Sequence, residues 1–112
     1  DEQVDAANPR AKNAFGHIIE IIEEGGDHTA TKGRWEILLK CGDPSVAAVG
    51  ATFSTDTTKS GWFGMPDNAV VDSAGRLWVA TDGNGPDVTG RTDGLWAVDT
   101  EGGARRTSKL FY

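Results

Sequence analysis

The stretch Met65–Asn84, MPDNAVVDSAGRLWVATDGN, decides how the chain reads. Three polar clusters punctuate it: Pro66-Asp67-Asn68 at its head, Ser73-Ala74-Gly75 in its middle and Asp82-Gly83-Asn84 at its tail. Such residues make turns, glycine by tolerating positive φ and Asp or Asn by bonding nearby backbone groups. The apolar runs between them predict two short antiparallel strands, Ala69–Asp72 and Arg76–Thr81, joined by a tight turn. In the second, Leu77, Val79 and Thr81 share one face, with Trp78 and Ala80 on the other. Pro66-Asp67-Asn68 has two readings: a turn ahead of a strand, or the polar lip of a site.

Downstream, the same rhythm continues. A Gly/Asp-rich loop over Asp82–Asp93 leads to a third strand, Gly94–Asp99. A turn at Thr100–Gly103 leads to a fourth, Ala104–Tyr112, polar enough to be an edge. Four short antiparallel strands ending in a polar outer one describe one blade of a β-propeller. The phrase D-x-x-G-x-L-W-V (Asp72, Gly75, Leu77, Trp78, Val79) occurs in many such blades.

Upstream, Gly42–Gly64 has no sustained period and predicts a long loop, in which PSVAAVGA could form one short helical turn. Arg34–Cys41 alternates as a half-buried strand, with Trp35, Ile37 and Leu39 on one face and Arg34, Glu36 and Lys40 on the other; Leu38 is the exception. Phe15–Glu24 holds four isoleucines in five residues, which favours a strand buried on both faces. These two segments predict an antiparallel pair, the outer half of a preceding blade whose inner two strands are absent.

The expected architecture is therefore all-β, about one and a half propeller blades. It forms one partial domain over residues 1–112: a polar lead-in, a strand pair over 14–41, a loop over 42–64 and a four-stranded blade over 65–112. The chain opens without Met and stops on Phe111-Tyr112 while still apolar, so it reads as a fragment of something longer. Blades bury their faces against neighbours. The surfaces around Trp35, Trp78 and Trp96 are thus expected to lie open, driving the fragment to oligomerise or swap elements.

A net charge of −6 argues against nucleic acid or an anionic membrane surface as partner. The single cysteine, Cys41, excludes an internal disulfide and reads as a small buried apolar residue. No apolar run is long enough to span a bilayer, and no signal peptide is visible. Asp82, Asn84 and Asp87 resemble the start of a calcium loop, but Pro86 and the missing closing Glu break the pattern. His17 and His28 lack ligand spacing, and neither G-x-S-x-G nor a P-loop is present. Asp67 with Asn68 remains: a carboxylate and an amide oxygen suit a hard cation such as calcium, but the residues alone favour a turn, since Asp and Asn so often start one.

Three phrases carry a family resemblance: NPRAKNAFGHIIEI (Asn8–Ile21), RWEILLKCGDP (Arg34–Pro44) and MPDNAVVDSAGRLWVATDG (Met65–Gly83). In wording, order and spacing they resemble the C-terminal part of PhoX-type alkaline phosphatases. The resemblance implies a propeller that hydrolyses phosphate esters with an axial cluster of iron and calcium, exported to the periplasm or beyond by the twin-arginine route. It also implies that Asp67, and less directly Asn68, are metal ligands. The family's Arg-Pro-Glu phrase, its metal-binding Cys and its Gln-His-Pro-Gly phrase are not in this chain, so Cys41 does not take the cysteine's role. No catalytic residue is assigned here. The expectation is a segment with no phosphatase activity and no tightly bound iron by itself. Alternatives are a non-catalytic propeller-derived binding module or a piece of another propeller hydrolase.

Overall fold

The computed structural model describes residues 3–112. Asp1 and Glu2, the first residues of the expected lead-in, lie outside the described residues. Among the described residues six strands form two antiparallel sheets. The first sheet pairs β1 (His17–Glu23) with β2 (Gly33–Lys40). The second runs β3 (Pro66–Val71), β4 (Leu77–Thr81), β5 (Leu95–Val98) and β6 (Ser108–Leu110), each beside its sequence neighbour. This is the meander of a propeller blade beside a strand pair from a second blade.

The β3–β4 hairpin is built by local chemistry. Asp72 Oδ1 accepts the backbone N–H of Ala74 and of Arg76, closing the turn. Its other oxygen accepts the Trp78 indole N–H at 2.9 Å. Gly75 supplies the left-handed backbone at φ +79°. The D-x-x-G-x-L-W-V phrase is thus a hairpin with its own staple. The Trp78 bond is the first cause holding the Asp72 carboxyl below its usual range, followed by the Arg76 backbone N–H.

Alternation in β4 matches expectation: Leu77, Val79 and Thr81 are buried, Trp78 and Ala80 half-buried. In β2 a bulge breaks the alternation. Ile18 pairs with Leu39 while Ile19 pairs with Ile37, so Leu38 is the extra residue. Leu38 and Leu39 are consequently both buried.

The 42–64 segment is packed structure with one 3-10 turn at Ala47–Val49. It sends Phe53, Trp62 and Phe63 into the core beside Leu38, Leu39 and Cys41 from the first sheet and Leu77, Val79, Trp96 and Val98 from the second. Phe63 meets Phe53 edge-on and Trp96 at a tilt, with centroids 5.3 and 5.4 Å apart. Arg10 ties the lead-in to this core, donating to the carbonyls of Cys41, Val49 and Gly16.

Two surface expectations need correction. Trp96 is 2 % exposed, because Phe63 of the long loop covers it. The β1 isoleucines are not buried on both faces: Ile21 is 69 % exposed, and its cross-strand partner Trp35 is 48 % exposed. The first sheet has two strands among the described residues, and on that face Ile21 and Trp35 stay open to solvent.

Arg105 joins the sheets. Glu20 and Glu36 sit directly opposite each other on β1 and β2, a like-charge pair that is unfavourable alone. The Arg105 guanidinium reaches Glu20 at 2.9 Å and also pairs with Glu36.

Candidate functional site

The head of β3 differs from the turn-then-strand expectation. The strand begins at Pro66, so Asp67 and Asn68 lie inside it and not ahead of Ala69. Pro66 pairs with Thr81 and Asn68 with Ala80, which makes Asp67 the extra residue of a bulge. In a regular strand adjacent side chains point to opposite faces. Here the Asn68 amide donates to Oδ2 of Asp67, so the bulge brings both polar groups to one side. Both residues are exposed.

The backbone two residues before Asp67 is strained. Met65 has φ +55°, the left-handed region that non-glycine residues seldom adopt. Its N–H donates to Phe15 O at 3.0 Å and its carbonyl accepts from Asp82 N at 3.1 Å. The chain leading to β1 and the start of the β4–β5 loop therefore hold the conformation that aims Asp67 and Asn68.

That loop lies at the same end of the blade, and Asp93 organises it. One Asp93 carboxylate oxygen accepts Asn84 N and Thr81 Oγ1, and the other accepts Gly83 N. The Asn84 and Gly83 N–H groups are the leading reasons that its carboxyl titrates low. The Asn84 side chain is also committed, donating to Gly64 O and accepting from Thr89 Oγ1. Of Asp82, Asn84 and Asp87, the side chain of Asn84 is thus held within the loop's own hydrogen bonds. Sequence reasoning missed Asp93; its one local signal was an Asp directly before the glycine that precedes β5.

The remaining candidates lie elsewhere. Cys41 is fully buried, and burial pushes its thiol up to about 12, with Arg10 opposing weakly. It packs as an apolar residue and is no nucleophile at neutral pH. His17 Nδ1 sits 2.7 Å from the Asn13 amide nitrogen, and His28 faces Glu23 on the exposed β1–β2 connection. Among the described residues no group of three or more His, Cys, Asp or Glu is placed to hold a metal ion. Asp67 and Asn68 can offer oxygen donors of the right hardness, and a complete site needs donors beyond this pair. No helix among the described residues is long and apolar enough to cross a membrane.

With this geometry in hand, comparisons place the chain. The family model described as "Alkaline phosphatase PhoX" matches residues 1–111. The fold is similar to that of Pseudomonas fluorescens PhoX in complex with vanadate, a transition state analogue, with a TM-score of 0.74 and 29% identity. That match covers 94% of this chain and 18% of the other. A comparison with curated protein sequences gives no match. Six antiparallel strands in propeller arrangement, and a family match over nearly every residue, lead to one conclusion: the chain belongs to the PhoX alkaline phosphatase family.

Proposed function

We propose that these residues work as part of a longer metal-dependent phosphomonoesterase, in which Asp67, with Asn68 beside it, ligates a metal ion at the propeller axis. One observation carries the reading. A bulge at the head of the open edge strand β3 sets a carboxylate and an amide side by side, exposed and outside the hydrophobic core. Family membership supports a phosphate ester as substrate. The resemblance to the family supports iron and calcium as the metals and export from the cytoplasm.

A metal held there would supply positive charge to the phosphoryl oxygens and lower the pKa of an attacking oxygen. The chain's own residues do the holding. Asp67 provides the charged donor and Asn68 a neutral one, and the strained Met65 backbone fixes their direction. Two adjacent donors fall short of the roughly six to eight oxygens a calcium ion takes, so the segment alone has no phosphatase activity and binds no iron tightly.

The test is hydrolysis of a chromogenic phosphate monoester by the longer protein and by its Asp67→Ala variant. The reading expects kcat to fall by about a hundredfold or more, as for loss of a group stabilising transition-state charge. Unchanged turnover in the variant, or metal-dependent turnover by residues 1–112 alone, overturns it.

A further inference from the structure

We infer that a groove between the 42–64 segment and the β4–β5 loop is a second anion site, which takes a phosphate-like oxyanion. The groove is an open cleft of about 580 Å³, lined by Thr58, Lys59, Ser60, Trp62, Thr89 and Arg91. It combines two cationic side chains, three hydroxyls and an indole.

Arg91 is the centre of the argument. Its guanidinium stacks on the Trp62 ring, 3.9 Å from the centroid. It donates to the carbonyls of Lys59 and Ser60. Those carbonyls fix its orientation without cancelling its charge. Its Nε is buried and has no partner. Among the described residues no carboxylate lies within ion-pair distance of Arg91 or Lys59. Burial is the main influence on the guanidinium, with the Asp43 charge as a lesser compensation. Asp43 also feels Lys59 at longer range, but its Oδ1 is committed to the N–H and hydroxyl of Ser45. Asp43 is the carboxylate whose charge reaches Arg91 and Lys59, and it lies beyond ion-pair distance of both. A stacked, backbone-oriented guanidinium beside a free ammonium and hydroxyl donors is a recurrent means of binding tetrahedral oxyanions.

Position adds to the chemistry. Arg91 and Thr89 belong to the loop that leaves β4 opposite Pro66, at the end of the blade that carries Asp67. The same loop is pinned to Gly64 through Asn84. The loop thus links the groove to the blade end that carries Asp67. The inference deepens the proposed function and is separable from it, because Asp67 takes no part in the groove.

The experiment is calorimetric titration of inorganic phosphate into the longer protein carrying Asp67→Ala, which disables the proposed metal site. A binding event that weakens with added salt is expected. Lys59→Gln, at an exposed position that leaves the fold undisturbed, should weaken it by about tenfold, the loss of one charge-assisted contact. Arg91→Ala should abolish it, and Arg91→Lys should restore it only in part. Absence of phosphate binding in the Asp67→Ala protein, or identical titrations with and without Lys59→Gln, overturns the inference. Failure of Asp67→Ala to change turnover would sink the metal proposal and leave this result standing.

Discussion

Asn68 donates its side-chain amide to the carboxylate of its immediate neighbour Asp67. Adjacent residues of a regular strand cannot make that contact, and the bulge opposite Ala80 and Thr81 is what permits it. The bond shows two polar side chains gathered at one point by backbone geometry, which is what a ligand pair requires.

Removing Arg105 should release a repulsion as well as a bond. Arg105→Ala leaves Glu20 and Glu36 facing each other across β1 and β2. We expect a loss of about 1–2 kcal/mol, limited by the partial exposure of the cluster. In a Glu36→Gln background the cost should shrink, since the like-charge pair is gone. Urea denaturation of the four proteins in this cycle checks the coupling; strict additivity contradicts it.

Asp72 predicts a pH dependence of defined sign. Its folded carboxyl is held low by the Trp78 indole and the turn N–H groups. The unfolded state therefore binds the proton more readily, and stability from this group is present above the unfolded carboxyl pKa of about 4 and lost as pH falls through the lower folded value. Asp72→Asn should lower the thermal midpoint at neutral pH and differ little from the parent in strong acid. A difference that grows on acidification would contradict the assignment.

Cys41 should behave as core. A thiol pushed up to about 12 and fully buried presents almost no thiolate at pH 8. Labelling by a thiol reagent under native conditions should proceed only as fast as the protein opens, and become rapid in denaturant. Stoichiometric labelling of the folded protein within seconds would contradict this.

The open face of the first sheet predicts association. Ile21 and Trp35 lie opposite each other and are largely exposed, on a two-stranded sheet. Residues 1–112 prepared alone should form dimers or larger species in light scattering at tens of micromolar, and Trp35→Glu should shift them toward monomer. A monodisperse parent monomer contradicts the expectation.

The parts of the fold visible in the sequence are those made locally. Asp72, Gly75 and Trp78 span seven residues and build their hairpin from contacts within it, so the phrase could be read directly. The alternation of Leu77, Val79 and Thr81 was readable for the same reason. Bulges were not, because they depend on which residues of the partner strand are met. Leu38 looked like a flaw in an alternating strand until its pairing explained it, and Asp67 looked like a turn residue ahead of a strand that in fact contains it. Trp96 is buried by Phe63, 33 residues earlier in an aperiodic segment, a contact no periodicity announces. Asp93 bonds Gly83 and Asn84 across a loop, again without a local pattern.

Metal content tests the central claim most directly. The longer protein and its Asp67→Ala variant should be purified identically and their bound iron and calcium measured per chain by plasma mass spectrometry. If Asp67 is a ligand, the variant will lose bound metal while its thermal unfolding in chelator matches that of the parent, since the side chain lies outside the hydrophobic core. Equal metal content in the two proteins would make Asp67 and Asn68 a bulge without a metal.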